Sequence, residues 1–155
     1  MGKRAGALVL LGDLCKGMVA AGVGLASGSR GVAAACGLAA VVGHVLPATR
    51  RFRGGKGVAT AAGVTLVLLP VAGVVLSLVW VAVAKVGKTA SVASIVVAVA
   101  LPAAAAVDGR PLGEVLAFAA CGVLVVVRHR SNIDRLLRGE EPTLERTGDA
   151  DTPSG

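Results

Sequence analysis

Residues 50–60 read RRFRGGKGVAT. Gly54, Gly55 and Gly57 can take dihedrals that turn several backbone N–H groups toward one anion. Lys56 adds a compact positive charge, and Arg50, Arg51 and Arg53 add forked donors. A helix beginning near Val58 would aim the positive end of its dipole at the same place. Such a loop suits phosphate. It is not a nucleotide P-loop, which would need Gly at 50 and Ser or Thr at 57, where this chain has Arg50 and Gly57. It is not a dinucleotide fingerprint either, because Thr60 stands where the third glycine belongs and no strand precedes it. By composition alone, an ordinary basic loop with flexible glycines fits as well.

Two other stretches carry chemistry. His44, in GHVLP, lies just ahead of the glycine loop. Residues 128–141 read RHRSNIDRLLRGEE, where His129, Asn132 and Arg135 recur at helical spacing and can share one face. Imidazole, carboxamide and guanidinium together could orient a phosphate and a hydroxyl, and Glu141 could offset the basic cluster. A juxtamembrane amphipathic helix on acidic headgroups would read the same way. Asp13 and Lys16, in GDLCKG, stand one turn apart inside an apolar run. Ionisable groups there are costly and face a partner or a wet cavity. A local ion pair that serves packing alone is the other reading.

The segments that must position these residues are apolar. Hydrophobic residues make up 55% of the 155-residue chain, and the mean hydropathy is +0.80. A soluble domain of this size needs more polar surface, so the composition indicates one polytopic, all-α transmembrane helix bundle. Six apolar segments are expected at roughly 5–26, 31–48, 57–69, 71–86, 90–107 and 112–127. Pro70 divides the third from the fourth, and Pro102 could kink the fifth.

Charge sets the expected orientation. With six spans, one side receives Lys3, Arg4, Arg50, Arg51, Arg53, Lys56, Lys85, Lys88, Arg128, Arg130, Arg135, Arg138 and Arg146. The other receives only Arg30 and Arg110. Basic loops stay cytoplasmic, so both termini of this chain are expected on the cytoplasmic face of the cell membrane. The net charge of +7 then reflects loops at an anionic membrane rather than nucleic-acid binding. Cys15, Cys36 and Cys121 lie in apolar stretches with no C-x-x-C pair, so no metal or redox site is expected. Residues 1–138 form the expected transmembrane domain. From Gly139 the chain is polar and aperiodic, as a disordered cytoplasmic tail would be.

These stretches together resemble the bacterial acyl-phosphate:glycerol-3-phosphate acyltransferase family of membrane enzymes. GDLCKG (12–17) is similar to its Asp-x-x-Lys-Gly, and GHVLPATRRFRGGKGVAT (43–60) to its second motif. SVAS (91–94) is similar to a serine-containing stretch that opens a later span. RHRSNIDRLLRGEE resembles the third motif. The resemblance implies transfer of a fatty acyl group from acyl phosphate to the 1-hydroxyl of glycerol 3-phosphate, giving lysophosphatidic acid for phospholipid synthesis. It implies that Gly54, Gly55, Lys56 and Gly57 cradle a phosphate and that Arg53 and Arg135 hold anions. His44 joins the binding set, His129 and Asn132 act at the reacting groups, and Glu141 braces them. No cofactor is implied; the partners are the two phosphorylated substrates and membrane lipid.

Two departures stand out. Arg53 replaces a family lysine. The family also has a further span, seven in all, and a first motif, Gly-Ser-Gly-Asn-x-Gly-x-Thr-Asn, ahead of the segment that matches here. Met1 is therefore expected to be an internal position of a longer family pattern. The alternatives are a truncated inactive remnant or a non-enzymatic anion-binding membrane protein.

Overall fold

The computed structural model describes residues 3–47 and 54–144. Among these the structure is all-helical: α1 (Lys3–Ala26), α2 (Arg30–Val45), α3 (Val58–Leu68), α4 (Pro70–Val86), α5 (Ala90–Val107), α6 (Leu112–Arg128) and α7 (Arg130–Leu137). The six apolar segments are the first six helices. The seventh is the amphipathic stretch after the last segment. It leaves α6 at an angle of 55°. Two helices, Arg4–Ala26 and Ala90–Val107, are long and apolar enough to cross a membrane on their own, and the bent α6–α7 pair would make a third. The apolar helices α2, α3 and α4 are shorter, at 16, 11 and 17 residues.

Local sequence explains the breaks. Gly28 sits at φ 80° between α1 and α2, and the Ser29 hydroxyl caps α2 by accepting from the Val32 N–H at 3.3 Å. Leu69 alone separates α3 from α4. Proline then opens α4 at its first position, where a missing N–H costs nothing. Pro102 does not break α5. It lacks the donor that would meet the Ala98 carbonyl. That oxygen faces Gly122 of α6, where any Cβ would run into it. The two helices approach at the point where the proline freed a carbonyl.

Packing rests on small residues, as expected where lipid removes most of the hydrophobic drive between helices. The core holds Ala21, Ala33, Ala34, Val41, Val45, Ala61, Val64, Leu68, Leu69, Leu101, Ala105, Phe118 and Cys121. α1 packs chiefly on α3 and α2, α5 on α6 and α4, and α2 on α6. At the α1–α3 crossing Gly17 lies against the Thr60 carbonyl and Gly63 against the Leu14 carbonyl. Both contacts are to backbone, which cannot turn aside.

At the end of α3 remote from the glycine loop, Arg30 ties three helices. Its Nη2 donates to the Leu68 carbonyl at 2.7 Å and to Glu114 Oε2 at 3.2 Å, and its Nε donates to Glu114 Oε1 at 3.3 Å. Glu114 is only 3% exposed, so this guanidinium is what makes its burial tolerable. Arg30→Met is expected to destabilise the bundle by about 3 kcal/mol, the low end for stranding a buried charge, because Arg30 itself is half-exposed. The double variant Arg30→Met/Glu114→Gln should recover more than half of the loss in thermal midpoint in detergent.

Candidate active site

Four pieces of chain meet at one end of the bundle. The first is the glycine loop. Gly57, at φ 83°, turns the chain into α3. A Cβ there would stand 3.0 Å from Val45 Cγ2 and 3.3 Å from Val41 Cγ1, so both conformation and space call for glycine. Arg128, the last residue of α6, reaches across to this loop. Its Nη2 donates to the Gly54 carbonyl at 2.9 Å and its Nε to the Gly55 carbonyl at 3.3 Å. In a trans peptide the N–H points opposite the C=O. Holding these two carbonyls therefore turns the N–H groups of Gly55 and Lys56 away from Arg128. No described residue accepts from either of them. Together with the start of α3, these unpartnered donors are of the kind that suit an anion.

Lys56 stands in this loop, and no described residue pairs with its ammonium. Burial lowers its pKa below the ordinary lysine value. The Arg135 charge lowers it further, and Glu141 offsets part of the shift.

The α6–α7 corner is the second piece. His129 caps both helices and is 1% exposed. Its Nδ1 lies 2.8 Å from the Val125 carbonyl. A carbonyl only accepts, so Nδ1 carries a hydrogen and Nε2 of the neutral ring is left as an acceptor. One turn further on, Asn132 is buried. Its Nδ2 donates to Glu141 Oε1 at 2.5 Å, and its Oδ1 has no partner among the described residues. Arg135 Nε donates to Glu141 Oε2 at 2.8 Å.

Glu141 itself supplies the third piece, folding back from beyond α7. Burial would raise its pKa, but the hydrogen bonds from Asn132 and Arg135 outweigh that and hold the carboxylate below the usual range. The buried Ser91 hydroxyl adds to this lowering from nearby but meets no hydrogen-bond geometry. A backbone bond of 2.7 Å from the Leu144 N–H to the Lys88 carbonyl keeps the returning segment in place.

The fourth piece joins α1 to α2. His44 Nδ1 lies 2.9 Å from Lys16 Nζ and 3.1 Å from Asp13 Oδ1, and Lys16 lies 3.1 Å from Asp13. The edge of the His44 ring abuts Gly55, since a Cβ on Gly55 would collide with Nε2.

Gly54, Gly55, Lys56, Gly57, His44, His129, Asn132, Arg135 and Glu141 therefore stand around one region, with Asp13 and Lys16 just behind His44. Arg53 lies outside the described residues. Arg128 was read in the sequence only as one of many loop charges, although it opens the RHRSN stretch. Its target, a pair of carbonyls 73 and 74 positions away, leaves no local signal. Beside these groups is an apolar cavity of about 380 Å³. Its wall runs from Val58 and Ala59, at the loop, past Trp80 and Ser94 to Leu76 and Leu101. The Trp80 indole is held by a 3.0 Å bond to the Ser94 hydroxyl.

This helical frame and its sequence have known counterparts. The family model for glycerol-3-phosphate acyltransferase matches residues 1–139. The chain belongs to the glycerol-3-phosphate acyltransferase family. It is 45% identical over 141 residues to the glycerol-3-phosphate acyltransferase of Rubrobacter xylanophilus, spanning 90% of this chain and 71% of that protein. It is 40% identical over 137 residues to that of Syntrophomonas wolfei, spanning 88% and 70%. Among solved structures it is similar to the glycerol 3-phosphate form of PlsY (YgiH), an integral membrane glycerol 3-phosphate acyltransferase. That similarity has a TM-score of 0.91 at 34% identity and covers 98% of this chain and 77% of the other. The lysophosphatidic acid form of PlsY matches with a TM-score of 0.86 at 36% identity, covering 92% and 74%. The chain is thus a multi-pass membrane acyltransferase of glycerol 3-phosphate.

Arg128→Met is expected to lower kcat/KM at least tenfold for the substrate whose phosphate the loop would hold. Each charged hydrogen bond to a carbonyl contributes about 1.5–3 kcal/mol, and both would be lost. Arg128→Lys should recover only a minor part, because one ammonium cannot replace the fork that meets both carbonyls. Steady-state kinetics in membranes separate the two variants.

Proposed function

We propose that this enzyme takes its acyl group from acyl phosphate and passes it to the 1-hydroxyl of glycerol 3-phosphate, releasing lysophosphatidic acid and inorganic phosphate. The observation that carries the reading is the junction of the Arg128-anchored glycine loop with the apolar cavity at Val58 and Ala59. A phosphate head on an acyl chain fits such a junction, with the head on the N–H groups and the chain among aliphatic side chains. The PlsY structures named for glycerol 3-phosphate and for lysophosphatidic acid support the acceptor and the product.

Each group has a part in this proposal. Gly54, Gly55, Gly57 and Lys56 hold a phosphate, with Arg53 and Arg135 neutralising the second anion. Asn132 Oδ1, the unpartnered acceptor, takes a hydrogen bond from the glycerol hydroxyl. His129 Nε2 lies at the same centre, and Glu141 keeps Asn132 and Arg135 in place. The acceptor oxygen forms a bond to the acyl carbon, and the bond from that carbon to the phosphate oxygen breaks. The departing phosphate takes the hydroxyl proton. Because the acyl group arrives activated, positioning and charge stabilisation supply most of the catalysis. The bias of basic residues toward one set of loops supports a centre on the cytoplasmic face of the cell membrane, with the chain termini on that side. Residues 1–138 make up the membrane domain in this reading, with Glu141 and Leu144 of the polar stretch from 139 folded back against it.

Lys56→Ala is expected to reduce kcat/KM with acyl phosphate and glycerol 3-phosphate by about 10²-fold or more, as for loss of one charge-stabilising donor. Unchanged turnover would remove the loop from the site. A pH profile gives a second check. Lys56 acts as a cation, and its pKa is lowered, so activity that depends on it is lost as pH rises through that depressed value. Lys56→Arg should move the alkaline limb to higher pH, since guanidinium stays charged.

A further inference from the structure

We propose that Asp13 and Lys16 of α1 are positioning residues for the reaction, acting through His44 to hold the glycine loop in its anion-binding shape. The proposal rests on the reading of that loop as the phosphate cradle.

The geometry is a three-way contact. Lys16 Nζ lies 3.1 Å from Asp13 Oδ1 and 2.9 Å from His44 Nδ1, while Asp13 Oδ1 lies 3.1 Å from the same ring nitrogen. An Asp–Lys pair one turn apart could close on itself and need nothing else. Here both residues converge on a histidine 28 positions beyond Lys16, in the last turn of another helix. His44 is in turn wedged against the loop. A Cβ on Gly55 would strike its Nε2, and a Cβ on Gly54 would strike its carbonyl oxygen. Ring and backbone of one residue thus form the floor under both glycines.

Arg128 also holds the loop, taking the Gly54 and Gly55 carbonyls. The loop therefore has two supports. Arg128 is tied to α6 by being part of it. His44 stands where α2 is ending, and its ring orientation depends on what meets Nδ1. Asp13 and Lys16 are what meets it. Nδ1 has one site for both neighbours: as an acceptor it takes a hydrogen from the Lys16 ammonium, as a donor it gives one to Asp13 Oδ1, and in either case the pair fixes the ring whose Nε2 edge faces Gly55. The pair's charges balance each other, so the support adds no net charge beside an anion site. Ionisable side chains in an apolar helix are costly to keep, and this contact accounts for both of them.

The test uses the full chain in membranes, with KM and kcat measured for each phosphorylated substrate. Lys16→Met and Asp13→Asn are expected to raise KM at least tenfold for the substrate whose phosphate occupies the loop, with kcat changing less than threefold. Lys16→Arg should restore at least half of the effect on a logarithmic scale. Hydrogen exchange of the 54–57 amides should quicken in Lys16→Met. The double variant Lys16→Met/His44→Asn should be no worse than His44→Asn alone, because the route to the loop runs through that ring. Multiplying effects in the double variant, or an unchanged KM for both substrates, would overturn the proposal. So would an equal fall in kcat with no rescue by arginine, which indicates packing alone. If Lys56→Ala leaves turnover intact, the cradle reading itself fails. If Lys56→Ala abolishes turnover while Lys16→Met leaves KM unchanged, only the positioning role fails.

Discussion

The site depends on one guanidinium taking two consecutive carbonyls. Glycine-rich loops have many available conformations, and most do not gather N–H groups on one side. Arg128 selects one by occupying the acceptors of Gly54 and Gly55, so the attached donors are left on the other face. The charge that organises the loop is thereby turned toward the backbone, while Lys56 keeps its ammonium for whatever lies at the loop. His44, Arg128 and the first turn of α3 must all be present for this arrangement. Each comes from a different helix, which makes the packing of α2, α3 and α6 part of the chemistry.

That packing uses closeness rather than bulk. Gly17 on Thr60, Gly63 on Leu14, Gly24 on Ala33 and Gly122 on Ala98 bring helix backbones together at four points. Tight crossings allow van der Waals contact to hold a bundle in a medium as apolar as the side chains themselves. They also place Asp13 and Lys16 of α1 within reach of a ring on α2. Between α1, α3, α4 and α5 the crossings leave the apolar cavity, whose floor therefore consists of helices rather than loops.

Much of this was legible from the residues. The apolar segments appear as helices with ends within a few positions: 90–107 coincides with α5, and 71–86 differs from α4 by the single Pro70. The expected helix start near Val58 is the start of α3. Resemblance of GGKGVAT and RHRSN to known motifs carried the family. What local pattern could not show was pairing at a distance. Arg30 read as one of two charges on the less basic side, yet it bridges α2, the end of α3 and the buried Glu114. Asp13 and Lys16 were expected to face a partner or a wet cavity, but the partner could not be named because His44 is too far along the chain to enter any helical periodicity. His129, Asn132 and Arg135 have helical spacing, but α6 ends before the histidine and α7 begins after it, so His129 is a corner rather than a face.

Held at both ends, α3 becomes a fixed-length strut. Its eleven residues span about 16 Å. Arg128 grips the loop where α3 begins, and Arg30 grips the Leu68 carbonyl where it stops. A helix anchored in this way cannot slide along its axis without breaking one grip or the other. Since α3 also lines the apolar cavity through Val58, Ala61, Ala62 and Thr65, the distance from the glycine loop to each depth of that cavity is set in whole helical steps. A chain seated there would be read against a graduated wall whose zero mark is Gly57.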